Sequence, residues 1–403
     1  MKPAETCCFD PIDCKEPDRL SFPRSSFHRV RGAEVRIGTA YPGKDRSAGL
    51  RPGLRGGISI QSISPTEAEQ LLLQAVKLGI NFFDTARAYT DSERKMKCLA
   101  GLGSRVILAT KSLARDADGL RRDLEASLEE LGREKVDLYQ LHNVSKKEEL
   151  ERVLSRGGAL EGARKAQEEG LVGFVGISSH NADTALEALR TGEFDTLQVP
   201  VNVVESHYEE KGVLREAGRR RVGVIAMKPM GGGAIHPAPA ALRYALSREV
   251  ATVIPGMRTL RELEENVAAL EERLFPDDRE MEALRRLADS LGDRFCRRCQ
   301  YCLPCPEGIY IPQVFICLAT WRWRGEPERA VELYRRSVPV PASACSGCGS
   351  CEEKCPYNLP VRDMLSEAVA LLEWKGWPPA TGVETGEAMI PTSELKPTPR
   401  NKS

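Results

Sequence analysis

Four side chains along this sequence, Asp84, Tyr89, Lys111 and His142, make a chemically coherent set. A free phenol has a pKa of about 10 and is a poor acid at neutral pH. A nearby ammonium favours the phenolate and makes the proton easier to give up. Asp84 can hold Lys111 in place and keep it charged. His142 can hydrogen-bond to a substrate carbonyl or to Tyr89. Together they would protonate a carbonyl oxygen as hydride arrives at its carbon. Taken singly, such a residue is usually a cap or a surface charge; it is their convergence that carries the expectation.

A second chemistry lies in the 13 cysteines. Eight of them form two runs, Cys296-x-x-Cys299-x-x-Cys302-x-x-Cys305-Pro306 and Cys345-x-x-Cys348-x-x-Cys351-x-x-x-Cys355-Pro356. Three thiolates at this spacing can cap three corners of an iron–sulfur cube, and a distant fourth closes it. The second run has the bacterial ferredoxin spacing, in which the Cys before Pro serves the other cluster of a pair. The expectation is two 4Fe-4S clusters: one on Cys296, Cys299, Cys302 and Cys355, the other on Cys345, Cys348, Cys351 and Cys305. The first run departs from the pattern by one residue before its last Cys. Zinc is the rival, but it has no need of a third closely spaced Cys or of the following Pro. Cys98 and Cys317 read as small core residues, and Cys7, Cys8 and Cys14 receive no role.

The elements that must position these groups alternate. Short β-rich runs, Ile58–Gln61, Ile80–Asp84, Val106–Thr110, Val136–Leu141, Gly173–Ser178, Thr196–Val199, Val222–Met227 and Ala251–Ile254, are each followed by a helix-like stretch. Thr66–Leu78 and Leu120–Leu131 carry apolar stripes of helical period. Eight strand–helix units call for parallel strands and fit a closed (β/α)8 TIM barrel over residues 56–290. An open doubly wound sheet lacks support, because no G-x-G-x-x-G follows the first strand. In a barrel, chemistry belongs at the carboxyl ends of the strands. Asp84 ends the second run, Tyr89 follows on its loop, and Lys111 and His142 follow the third and fourth.

Asp277–Leu291 reads as a helical extension. Residues 291–375 read as a small, mainly helical ferredoxin-like domain, with helix-like stretches at Pro312–Arg322 and Glu326–Ser337. Residues 1–55 are irregular, and 376–403 have the Pro-, Thr-, Glu- and Lys-rich composition of a disordered tail. Lys plus Arg and Asp plus Glu number 58 each. That balance gives no electrostatic case for nucleic acid or an anionic membrane. No apolar run reaches the ~18 residues of a spanning helix, so the expectation is a cytoplasmic protein.

NFFDTARAYTDSE (Asn81–Glu93), ILATK (Ile107–Lys111) and DLYQLH (Asp137–His142) resemble, in order, three signatures of the aldo/keto reductase superfamily. The resemblance covers about residues 58–272. It implies a catalytic tetrad of Asp84, Tyr89, Lys111 and His142 with Tyr89 as general acid, an NAD(P)H cofactor and a small carbonyl or alcohol substrate. GISSH (Gly176–His180) and Gln198 are similar to the segment that clamps the nicotinamide amide, which implies Ser178, Ser179 and Gln198. KPMGGG (Lys228–Gly233) follows the seventh strand, where barrel enzymes often bind phosphate; Lys228, Gly231 and Gly232 are its candidates, with glycine backbone free to approach a pyrophosphate. PGMRTLRELEEN (Pro255–Asn266) resembles the adenosine-binding segment, with Glu265 and Asn266 at the adenine contacts. Met227 stands where an aromatic ring often stacks on nicotinamide, and Gly256 replaces the lysine that usually meets a 2′-phosphate. Arg258 can substitute for that lysine, which leaves NADP against NAD open. The cysteine tail looks like that of a branch of the superfamily that carries two clusters. An alternative is an electron-transfer module that docks a protein partner, the barrel serving as scaffold.

Overall fold

The structure is a computed structural model that describes residues 60, 63–89, 91–292, 294–298, 301–355 and 357–373. Seven strands are seen among them: β1 (Phe82–Asp84), β2 (Ile107–Ser112), β3 (Val136–Leu141), β4 (Val172–Ser178), β5 (Thr196–Pro200), β6 (Gly223–Met227) and β7 (Thr252–Ile254). All pair in parallel, each with its sequence neighbour, in the order β1 to β7. A doubly wound sheet would reverse its strand order at a switch point; this sheet never does. It is a near-closed barrel. The run Ile58–Gln61, expected as a strand, lies outside the described residues except for Ile60, which is buried in a 3-10 turn and accepts a hydrogen bond from Lys95 at 2.9 Å.

The barrel helices are α1 (Pro65–Lys77), α2 (Ser92–Lys95), α3 (Ala117–Leu131), α4 (Lys147–Leu154), α5 (Ala159–Glu168), α6 (Ala182–Thr191), α7 (His207–Glu210), α8 (Val213–Arg220), α9 (Ala238–Leu246) and α10 (Leu260–Glu272). Helix α1 starts at a capping box of Ser64 and Glu67, which satisfies two N-terminal donors. Helix α3 starts on the Asp116 carboxylate and stops at Gly132, whose φ of 64° suits a residue without Cβ. Contact between α1 and α10 closes the ring of helices.

After α11 (Asp278–Leu291) come α12 (Ile311–Arg324), α13 (Pro327–Ser337), α14 (Ser350–Glu353) and α15 (Val361–Leu372). They share a separate apolar core that includes Val314, Phe315, Cys317, Tyr334, Met364 and Leu365. A third cluster joins α9 and α11 to Phe295 and so ties this segment to the barrel. Residues 1–55 and 376–403 lie outside the described residues, as do Cys7, Cys8 and Cys14. No helix among the described residues is long and apolar enough to cross a membrane.

Candidate active site

The period-two alternation of strands sorts the barrel's side chains into two sets. Phe82, Ala109, Leu138, Ile225, Met227 and Ile254 form the inner core, while Phe83, Leu108, Tyr139, Leu197, Val224 and Val253 face the helices. Counting by twos along the inner face leads from Phe82 to Asp84, from Ala109 to Lys111 and from Leu138 to Gln140. Asp84, Lys111, Gln140 and Gln198 are all buried. Lys111 sits inside β2 rather than after it, because β2 continues to Ser112 in register with Leu141. His142 follows β3 directly.

Lys111 Nζ donates to Asp84 Oδ2 at 2.7 Å and to the Thr85 carbonyl at 2.6 Å. Burial pushes the Asp84 carboxyl up and the Lys111 ammonium down, and each is opposed by its partner's charge. Tyr89 Oη lies 3.4 Å from His142 Nε2, with the rings edge to face. Lys111 Nζ stands 5.3 Å from the centre of the Tyr89 ring. Asp84 and Lys111 are sealed off, whereas Tyr89 and His142 keep part of their surface exposed. The structure thus brings all four expected residues together.

One expectation is corrected. The Tyr89 phenol is pushed up, not down: burial dominates, and the Asp84 carboxylate adds to it. Lys111 is already matched by Asp84, so its charge does not reach the phenol uncompensated. His142 is held down at about 3 by burial, then by Lys111, Arg115 and Lys228, and is therefore neutral at ordinary pH. Its Nδ1 has no hydrogen-bond partner among the described residues.

Gln140 is a residue that the sequence reasoning missed. Its Nε2 donates to Asp84 Oδ1 at 3.3 Å and to Gln198 Oε1 at 3.0 Å, linking the ion pair to the other side of the barrel. The signal was present: within the strand DLYQLH, Gln140 falls on the same inner face as Leu138. Gln198 Nε2 in turn meets the Met227 sulfur at 3.8 Å.

The residues expected around a cofactor are less uniform. Ser178 Oγ accepts the Asn143 N–H at 2.8 Å and keeps its own proton for another partner. The Ser179 hydroxyl is committed to the Asn181 backbone, donating to its carbonyl and accepting its N–H at 3.1 Å each, so it is not placed as a clamp. Lys228 has φ 54°, and its Nζ lies 3.3–3.4 Å from the His180 ring nitrogens. Gly231 and Gly232 adopt positive φ, 53° and 76°. The turn, however, closes on itself: Gly231 N–H donates to the Lys228 carbonyl and Gly233 N–H to the Met230 carbonyl. Those N–H groups are not turned toward a pyrophosphate. Arg258 faces Glu326 at 3.8 Å. Asn266 is buried, while Glu265 is exposed and pairs with Arg261 one turn earlier at 2.7 Å.

Among the described residues the cysteines that precede and follow α12 and α13 form no disulfide with one another. Cys296, Cys302, Cys305, Cys345, Cys351 and Cys355 pack against the same helical core, Cys348 is exposed, and Cys299 lies outside the described residues. The donor types suit clusters, but no three metal-binding side chains gather at one point among the described residues. Cys317 is buried in the core as expected, and Cys98 is half-buried; burial raises both thiols to about 11.

The segment from Arg294 onward crosses the mouth of the barrel. Tyr301 Oη donates to the Ser145 carbonyl after β3 and accepts from Asn181 after β4. Arg297 reaches the Val204 carbonyl after β5, and Arg324 reaches the Gly232 carbonyl after β6. Glu326 faces Arg258 after β7. Five successive loops at the carboxyl ends of the strands thus touch the C-terminal segment.

The parallel barrel thus holds a buried Lys111–Asp84 pair next to the partly exposed Tyr89–His142 pair. The family model for the aldo/keto reductase family matches residues 53–238 and 234–289, and the chain belongs to that family. An aldo-keto reductase of Mycolicibacterium vanbaalenii is 31% identical over 211 residues, 49% of this chain and 71% of that protein. Aldo-keto reductase yakc [NADP(+)] of Schizosaccharomyces pombe is 26% identical, and the match covers 49% of this chain and 62% of the relative. An aldo-keto reductase of Gibberella moniliformis is 28% identical over 42% of this chain and 54% of its own length. The chain thus spans little more than half the length of the last two. The holo form of aldo-keto reductase AKR11C1 from Bacillus halodurans superposes with a TM-score of 0.50 at 22% identity, over 59% of this chain and 91% of that one, which is a likeness of fold.

Proposed function

We propose that the chain is an NAD(P)H-dependent oxidoreductase that reduces a small carbonyl compound, or oxidises the corresponding alcohol, with Tyr89 as general acid. The observation that carries this reading is the Tyr89–His142 contact at 3.4 Å above the Lys111–Asp84 pair at 2.7 Å. A bound reduced nicotinamide would supply hydride to the carbonyl carbon. The chain's residues handle the other half. A phenol kept protonated by burial can donate to the carbonyl oxygen. As negative charge develops on Tyr89, the Lys111 ammonium, 5.3 Å from the ring centre and shared with Asp84, would stabilise it in part. Neutral His142 can hydrogen-bond to the same oxygen and fix its position. Gln140 and Gln198 hold Asp84 and so orient Lys111.

Ser178 and Gln198 would hold the nicotinamide amide, Lys228 and the Gly231–Gly232 turn would lie near the phosphates, and Asn266 with Glu265 would meet the adenine. The name of the Schizosaccharomyces relative and the guanidinium of Arg258 support NADP. Tyr89→Phe is expected to lower kcat by about 10²–10⁴-fold, the usual worth of a positioned proton donor, with cofactor affinity retained. Unchanged NAD(P)H-dependent carbonyl reduction by that variant would end this reading.

The cysteine spacing supports two 4Fe-4S clusters in residues 291–375, serving electron transfer to a protein partner, redox sensing or the integrity of the helical domain. A reducing, cytoplasmic setting belongs to the same reading, because it keeps the thiols available to metal. Anaerobic purification with iron and sulfide assays is expected to give roughly eight irons per chain, as two four-iron clusters require; a zinc-only content would replace them with zinc sites.

A further inference from the structure

The turn after β6 was expected to bind phosphate through its own backbone, yet its Gly231 and Gly233 N–H groups are consumed within the turn. What stands over it is cationic and comes from elsewhere in the chain. A cavity of about 160 Å³ lies between this turn and the C-terminal segment, lined by Gly231, Gly232, Phe295, Arg298, Trp323 and Arg324 among others. Arg294, Arg322 and Arg329 also reach it. These three are matched: Glu367 faces Arg294 and Arg322, and Glu326 faces Arg329.

Arg298 and Arg324 differ. Neither has a carboxylate within ion-pair distance among the described residues. Arg324 holds the Gly232 carbonyl through Nε at 3.0 Å and through Nη2. Burial, then Arg258, Arg329 and Arg298, weaken its hold on its proton, with Glu326 the one opposing charge. The Arg298 Nε is buried without a hydrogen-bond partner. Its two terminal nitrogens lie 3.2 Å from where a Cβ on Gly232 would be, and Arg324 Nε lies 2.6 Å from one on Gly233. Glycine here therefore serves the close approach of two guanidiniums to the turn. A buried donor left unsatisfied costs free energy, and paired guanidiniums match the oxygens of a phosphate.

We propose that Arg298 and Arg324 form an anion site over the Gly231–Gly233 turn that takes the diphosphate of the nicotinamide dinucleotide, so that the C-terminal segment completes the cofactor site of the barrel. This rests on the reductase reading above. Arg258 and Glu326 lie at the edge of the same site, 3.8 Å apart. A cofactor phosphate drawn to Arg258 would compete with Glu326.

The test uses the full chain, purified anaerobically, with Arg298→Gln and Arg324→Gln. Fluorescence titration with NADPH and NADH is read beside titration with reduced nicotinamide riboside, which has no phosphate, and beside competition by inorganic pyrophosphate. Each variant is expected to bind the dinucleotides at least tenfold more weakly, to bind the riboside as the parent does, and to lose sensitivity to pyrophosphate. Folded variants that bind dinucleotide like the parent would overturn the arginine site and leave the reductase reading standing. A parent chain that binds pyrophosphate but no dinucleotide would overturn the reductase reading, and with it the ligand assigned here. If the variants do not fold, hydrogen exchange on the parent decides: NADPH should protect residues 294–298 and 320–325, and absence of protection there counts against the site.

Discussion

The Lys111–Asp84 pair is fully buried, and its value depends on both partners being present. Two charges taken out of water are costly, and breaking such a pair strands the survivor. Asp84→Asn leaves the Lys111 ammonium with the Thr85 carbonyl and an amide, so a loss of about 3–5 kcal/mol of stability is expected, measured by urea unfolding. Replacing both partners, as Asp84→Asn with Lys111→Met, should recover part of that loss while leaving activity abolished. The residue scale was also the most legible in the sequence. Asp84, Tyr89, Lys111 and His142 could be named because a short motif fixes each. Gln140 could not, because a glutamine within a strand gains meaning only when its inward face is known. Ser179 misled for a related reason: a hydroxyl beside a clamp can be spent on its own backbone, and nothing in GISSH distinguishes the two uses.

At the scale of elements, the strands were readable because parallel strands buried on both faces give near-continuous apolar runs. Their ends were harder: Lys111 and Ser112 extend β2 beyond the apolar run, since hydrogen bonding to β3 continues where hydrophobicity stops. The glycines inside the sheet could not be interpreted from sequence. Gly176 in β4 sits where a Cβ would meet Thr196 Oγ1 at 2.2 Å and Gln140 Cγ at 3.1 Å. Thr196 and Gln140 are its register neighbours on β5 and β3. Gly176→Ala should therefore overpack the barrel at the level of the glutamine bridge and cost about 1–3 kcal/mol. Thermal unfolding reads that cost. A lowered kcat beside it would show that displacing Gln140 is transmitted to Asp84.

For the whole molecule, acid response follows from buried imidazoles. His142 is held at about 3 and His207 at about 4, in both cases chiefly by burial. An unfolded histidine titrates near 6.5. Between those values the unfolded chain binds protons that the folded chain refuses, so stability declines as pH falls below about 6.5, by up to roughly 1.4 kcal/mol per pH unit for each such group. Denaturant midpoints measured from pH 7.5 down to 4.5 should show this slope, and His142→Gln should make it shallower. The contact of the cysteine-rich segment with five mouth loops was the least legible feature, since it depends on pairs such as Tyr301 with Ser145 and Arg324 with Gly232, far apart in the chain and carrying no motif.

That draping has a consequence for synthesis. A ribosome releases the barrel first. A nascent chain paused before Arg294 would already own Tyr89 and Lys111, yet it would lack Arg298, Tyr301 and Arg324. The loops around Ser145, Asn181, Val204, Gly232 and Arg258 would wait for their partners until the last quarter of the chain emerged.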